Sequence, residues 1–408
     1  MSAPSLEASL PLGVRILDAA DRIARRAGLL RRPLSAMELI RAAQRATGLA
    51  DFGEQGFEAA LDMLLRSCEA EAGLSAFGRM AMRWDALRFL SNLLLLREAE
   101  TRMPAILGQR IERPIFIIGM PRSGTTFLHS LLAADPFNRV ARCWETIYPC
   151  VARENAARLA RFKVDLQLAG FTALTPEFRS LHPITAVSPQ ECTEITGHVF
   201  MSCRFDTTHE VPSYRRWLDR TGHLAAFRFH KRFLQHLQHR KGPGRWVLKC
   251  PDHVFALDAI RSIYPDAGFV VMHRNPVEVL ASVARLTEIL RLPFARRVDR
   301  RQIGRQVSEQ WALGAEILTK AGRGSGAEDS VFHVKFASFV ADPVGCVAAL
   351  YDRFGMSFDE AAAARVRTLV AAHPNGGYGR NKGRLEDYGL DAGTERRRYR
   401  DYQACFDV

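Results

Sequence analysis

Residues 114–134 read Pro-Ile-Phe-Ile-Ile-Gly-Met-Pro-Arg-Ser-Gly-Thr-Thr-Phe-Leu-His-Ser-Leu-Leu-Ala-Ala. Ile115–Ile118 is a short, uninterrupted apolar run rich in isoleucine, the pattern of a strand buried on both faces of a parallel sheet. A turn rich in Gly, Pro and Ser follows, then an apolar helical run from Phe127 to Ala134. The same order recurs downstream. Trp246–Leu248 precedes a helix around Val254–Ile263, Phe269–Met272 precedes Val277–Leu286, and Val331–Val334 precedes Pro343–Phe354. Repeated strand-then-helix order predicts a three-layer α/β fold around a mostly parallel sheet, with ligands at the carboxyl ends of its strands.

Upstream, from Leu34 to Arg97, the periodicity is helical. Ser35 and Glu38 have the spacing of a capping box ahead of an amphipathic run ending near Gly48. Phe57, Leu61, Leu64, Leu65 and Cys68 form one helical stripe, and Trp84, Leu87, Leu90 and Leu94 form a second. These predict core-facing helices without chemistry. Residues 1–108 are therefore read as an N-terminal helical subdomain and 109–408 as the domain that carries the site, with 151–240 as a helical insertion beside it. Gly322–Gly326 and Asn375–Gly379 are loops by composition.

The composition, 47% hydrophobic and 25% charged over 408 residues, is that of a globular chain. The first thirty residues contain no uninterrupted apolar region of secretory type, and the densest apolar run, Phe89–Leu96, is too short to span a bilayer. A cytoplasmic location is expected. The eight cysteines contain no CxxC pair and no Cys/His spacing of the zinc kind. A net charge of +13 suits a polyanionic partner or a small anionic ligand. Because the basic pairs are scattered rather than gathered into one tract, solvated faces are expected and no nucleic-acid partner.

Gly119-Met-Pro-Arg-Ser-Gly124-Thr-Thr126 lies between strand and helix, where a glycine-rich loop presents backbone N–H groups to phosphate oxygens. Its Gly-x4-Gly spacing is that of a Walker A loop, but Thr125 stands where the nucleotide-triphosphatase lysine belongs. A kinase would lack its main γ-phosphate cation, whereas a single 5′-phosphosulfate needs donors near one anionic group and no magnesium bridge. The string PRSGTTFLHSLL resembles the 5′-phosphosulfate loop of sulfotransferases that use 3′-phosphoadenosine 5′-phosphosulfate (PAPS), particularly bacterial enzymes and tyrosylprotein sulfotransferases. A second segment agrees. His273-Arg274-Asn275-Pro276, with Ser282 eight residues beyond Arg274, resembles the 3′-phosphate site of that family. Asn275 is suited to cap a helix with Pro276 in its first turn, which would fix Ser282 about two turns along.

The resemblance implies a P-loop-type fold, PAPS as co-substrate without a metal, and sulfuryl transfer to a small-molecule or peptide hydroxyl. It implies donor-binding roles for Arg122, Ser123, Gly124, Thr125, Thr126, Phe127, Arg274 and Ser282. Lys382 and Arg384 stand in a segment similar to the family's C-terminal cofactor loop. Lys249, in Leu-Lys-Cys-Pro-Asp-His253, is assigned to the bridging oxygen of PAPS. Two residues compete for the general base. Glu145, in Cys-Trp-Glu-Thr146, resembles the base of the tyrosylprotein branch, while His253 lies four residues after Lys249 rather than the two of the cytosolic branch. Glu191 and Glu194 are further candidates. The rival readings are a P-loop small-molecule kinase and a catalytically silent nucleotide- or polyanion-binding module. The acceptor is not legible.

Overall fold

The computed structural model describes residues 19, 23, 33–53, 56–151, 153–323, 330–373 and 383–408. Five strands, β1 (Ile115–Gly119), β2 (Asn138–Arg139), β3 (Arg245–Lys249), β4 (Gly268–His273) and β5 (Val331–Lys335), form one sheet in the order β2-β3-β1-β4-β5. Every pairing is parallel. The two residues of β2 are too few to show a sequence pattern and were not anticipated. The β1 segment lies in the middle, with Ile117 opposite Lys249 on one side and Gly119 opposite Met272 on the other.

Strand residues alternate between two cores, as pleating requires. Ile115, Ile117, Val247, Val270 and Met272 pack against the helices Thr125–Ala133, Pro343–Arg353 and Glu360–Ala372. Phe116, Ile118, Trp246, Leu248, Phe269 and Val271 face the opposite way. They join a larger core with Leu257, Ile260, Ile303, Val307 and Trp311. This gives the three layers expected.

The N-terminal helices Ala36–Thr47, Glu58–Ala70 and Ala76–Arg102 bury Leu39, Leu61, Leu64, Phe89 and Leu94 in that second core. They extend the sheet's own hydrophobic interior. Ser35 Oγ accepts the Glu38 N–H at 3.4 Å, and Gly48 closes the first helix in the left-handed conformation. One detail of the stripe differs. Trp84 faces solvent, 48% exposed, beneath the Arg88 guanidinium, and Phe89, Leu90, Leu93 and Leu94 make the buried face. A segment expected as helix around Val254–Ile263 divides into a 3-10 turn, Pro251–Ala256, and an α-helix, Leu257–Ile263. Gly322 and Arg323 end the long helix Arg300–Arg323, while the rest of the Gly322–Gly326 loop and all of Asn375–Gly379 lie outside the described residues. No described helix is long and apolar enough to cross a membrane.

Candidate active site

The loop after β1 turns tightly because two glycines permit it. A Cβ at Gly119 would lie 2.6 Å from the Met272 carbonyl oxygen, and Gly124 sits at φ 90° with Phe336 and Phe339 against it. Ser123 donates its hydroxyl to the Met120 carbonyl (2.7 Å) and is fully buried. That hydrogen bond shapes the loop. Gly124 caps the helix Thr125–Ala133, whose first-turn amides have no partner within the helix and present a positive dipole end. Phe127 is half-buried and packs on Phe339 at 5.9 Å between ring centres. Buried His129 ties the helix to β3: its Nε2 lies 3.1 Å from the Val247 carbonyl, so that nitrogen carries the proton.

This tie brings Thr126 to Lys249. The Lys249 ammonium, on a side chain only 1% exposed, donates to Thr126 Oγ1 at 3.0 Å and forms an ion pair with Glu191. Burial would raise the Glu191 carboxyl, but Lys249 and His182 outweigh it and hold the group below its ordinary value. His182, partly buried, is pushed down to about 4 by burial, with Lys249 and Arg122 adding to the effect and Glu191 opposing it, so its ring is neutral at pH 7.

A second cluster lies beside the first. Asn275 accepts the Val277 N–H at 3.1 Å and starts the helix Pro276–Arg291, which carries Ser282. Arg122, at φ 69°, donates from Nε to Ser282 Oγ (3.1 Å) and from Nη1 to the Leu181 carbonyl (2.8 Å). Arg274 donates from Nη1 to the Arg122 carbonyl (2.9 Å), and its guanidinium lies 4.1 Å from the centre of the Phe336 ring. Two guanidinium groups and a hydroxyl thus converge where β1 and β4 end. Phe336, which supports Arg274, was not foreseen, since a phenylalanine after a strand carries no sign of its partner.

The two expected bases are both buried. Glu145 is 2% exposed; its carboxylate accepts the Arg142 N–H at 3.0 Å and pairs with Lys241. Both oxygens of the Glu145 carboxylate thus face its own helix start and Lys241. Residues 141–144 bond to 186–190, with Cys143 N–H to Ser188 O at 3.0 Å and Gln190 N–H to Ala141 O at 2.8 Å. The Glu145 segment thus anchors the ribbon that delivers Glu191. His253 is buried against Phe116 (5.2 Å) and Phe227 (5.9 Å), and its ring stays neutral because burial holds it well below its usual value. Glu194 is bound in ion pairs with Arg88 and Arg204. Arg384 is an exposed side chain paired with Asp387 at 3.6 Å, and Lys382 lies outside the described residues. Just beyond Arg384, Tyr388 donates to Glu288 at 2.7 Å and pins the C-terminal segment to the Ser282 helix.

A parallel sheet with a glycine-rich loop, a buried lysine and a double-arginine cluster at adjacent strand ends defines an α/β enzyme that handles an anionic, phosphorylated donor. The model of the sulfotransferase family matches residues 114–360, and this chain belongs to that family. It is a transferase that carries a sulfuryl group from PAPS to a hydroxyl acceptor. The crystal structure of sulfotransferase STF1 from Mycobacterium tuberculosis H37Rv is 29% identical and superposes with a TM-score of 0.79 over 91% of this chain and 99% of that one. Sulfotransferase STF9 from Mycobacterium avium, 24% identical, shares the fold with a TM-score of 0.83 over 93% of this chain and 98% of its own. The omega-hydroxy-beta-dihydromenaquinone-9 sulfotransferase Stf3 of Mycobacterium tuberculosis (strain CDC 1551 / Oshkosh) is 24% identical over 294 residues, 66% of this chain and 71% of the relative. None of these relatives supports the kinase or silent-module readings.

Proposed function

We propose that PAPS lies across the carboxyl ends of β3, β1 and β4. Its 5′-phosphosulfate meets the amides of Gly124, Thr125, Thr126 and Phe127, and its 3′-phosphate meets Arg274, Ser282 and Arg122. The observation that carries this reading is the Lys249–Thr126 hydrogen bond, which fixes an ammonium at the first turn of the loop helix. Lys249 then stands at the bridging oxygen, where negative charge grows as the sulfur–oxygen bond breaks. Arg384 would close the far side of the nucleotide.

Glu191 is the base. It is the carboxylate on Lys249, with neutral His182 beside it to orient the acceptor hydroxyl. The acceptor oxygen forms its bond to sulfur as the bridging sulfur–oxygen bond breaks in line. The bond's electron pair leaves on 3′-phosphoadenosine 5′-phosphate, and the acceptor proton passes to Glu191. Glu145 and His253, the two bases suggested by sequence, support this arrangement from the ribbon and the core. The acceptor is a small-molecule alcohol, in keeping with the menaquinone-derived substrate in the name of Stf3. A cytoplasmic location fits eight cysteines that are all free thiols.

Titration calorimetry without magnesium provides the first test. Arg274→Ala is expected to weaken 3′-phosphoadenosine 5′-phosphate by roughly 10- to 100-fold, the range of a lost charge-assisted phosphate contact. The same variant should bind a 5′-phosphate ligand lacking the 3′-phosphate almost as well as wild type. Equal losses for both ligands would remove Arg274 from the 3′-phosphate site.

A further inference from the structure

The helix Glu154–Leu174 turns apolar side chains toward solvent in a row. Leu159, Phe162 and Leu166 are 52%, 65% and 63% exposed. At ~100° per residue they fall on one stripe, opposite the buried Ala157, Ala160 and Val164. Exposed Arg158 and Lys163 flank the stripe, one on each side. The helix carries the cations Arg158, Arg161 and Lys163 against the carboxylates Glu154, paired with Arg161, and Asp165, which accepts the Ala186 N–H at 2.8 Å, so its charge is net positive. An apolar stripe edged with cations, on a chain of net charge +13, is complementary to an anionic lipid surface.

The helix also reaches the proposed site. Its buried face packs on Trp144 and Ala186, which belong to the ribbon that delivers Glu191. Near its C-terminal end Phe171 meets Phe178 at 4.9 Å, in the same apolar cluster as Leu181, whose carbonyl holds Arg122. We infer that Leu159, Phe162 and Leu166 seat this helix on the surface of an anionic phospholipid bilayer, so that a membrane-borne alcohol reaches Glu191 without crossing bulk water. The acceptor half of this inference rests on the reading of Glu191 given above; the docking half does not.

Sedimentation of the full chain with vesicles tests the docking, with neither PAPS nor acceptor present. Vesicles of phosphatidylcholine with roughly one-third phosphatidylglycerol are expected to carry the protein down, and pure phosphatidylcholine much less, with binding falling as salt rises. The triple variant Leu159→Gln, Phe162→Gln, Leu166→Gln should lose at least about tenfold in vesicle affinity, and Arg158→Gln with Lys163→Gln severalfold. Both variants should keep wild-type turnover of a short, water-soluble alcohol, which shows that they fold and reads the transfer chemistry separately. Equal vesicle binding by wild type and the triple variant overturns the inference. So does a wild-type dimer that ignores vesicles and dissociates in the triple variant, since the stripe would then be covered by a second copy.

Discussion

Glu191→Gln is expected to slow turnover by about 10²–10⁴-fold, the range for losing a positioned general base, while PAPS affinity holds or tightens. The reason is the shared ammonium: Lys249 pairs with Glu191 and, in the proposed binding mode, also meets the bridging oxygen of PAPS. Glutamine keeps the shape but releases Lys249 wholly to the donor. Glu145→Gln should act differently. Breaking the contact to half-exposed Lys241 should lower the melting temperature, and kcat should change by less than about tenfold because in the proposed mechanism the proton passes to Glu191. A large kcat loss in Glu145→Gln with Glu191→Gln near wild type would return the base to the Cys-Trp-Glu-Thr segment.

The same pair predicts the pH profile. Glu191 must be ionised to accept a proton, so activity falls as pH drops through its pKa. In the free enzyme Lys249 and His182 hold that pKa below the ordinary value, against the effect of burial. The acid limb of kcat/KM for PAPS should therefore lie below the usual carboxylate range. Once PAPS competes for the Lys249 ammonium, Glu191 loses part of that support. The acid limb of kcat should consequently stand at higher pH than that of kcat/KM.

Lys249→Met should lower kcat by about 10²–10³-fold, comparable to removing one preorganised donor from a developing oxyanion. Methionine fills a similar space at a side chain only 1% exposed, so the fold survives and binding of 3′-phosphoadenosine 5′-phosphate changes less than turnover. Lys249→Arg is not expected to rescue activity. Its planar fork is wider than the ammonium held between Thr126 and Glu191. Without the Lys249 charge, the partly buried Glu191 regains a higher pKa, and the acid limb of the residual activity moves up. Retention of wild-type kcat in Lys249→Met would exclude Lys249 from the leaving oxygen.

Much of the scaffold is local chemistry and is legible in the chain. The apolar runs of β1, β3 and β4 announce a buried parallel sheet because both faces of each strand are covered, while β5, at the edge, leaves His333 and Lys335 exposed. Gly119 and Gly124 announce the loop, since a Cβ at either would crowd its neighbours, and Asn275-Pro276 announces the helix that holds Ser282. Each signal depends on neighbours within a few residues. The joining of Arg122 to Ser282 needs β1 and β4 to be adjacent, which their repeated pattern implied but did not measure.

The choice of base depends on contacts that no local pattern records. Glu145 stands in a motif-like string, yet its carboxylate turns back to its own helix start and to Lys241, because a short buried helix has unsatisfied N–H groups and a buried anion needs a cation. Glu191 has little around it in sequence, but a ribbon pairing between residues 49 apart along the chain, Ala141 with Gln190, sets it on Lys249. His253 is near Lys249 in sequence, but the 3-10 turn Pro251–Ala256 places its ring among Phe116 and Phe227. The sequence by itself determined the sheet, the phosphate loop and the capped helix, whose causes lie in local sterics and periodicity. Only the tertiary structure decided which carboxylate shares the buried ammonium, because in a low-dielectric site that pairing is set by distance in space and not by distance along the chain.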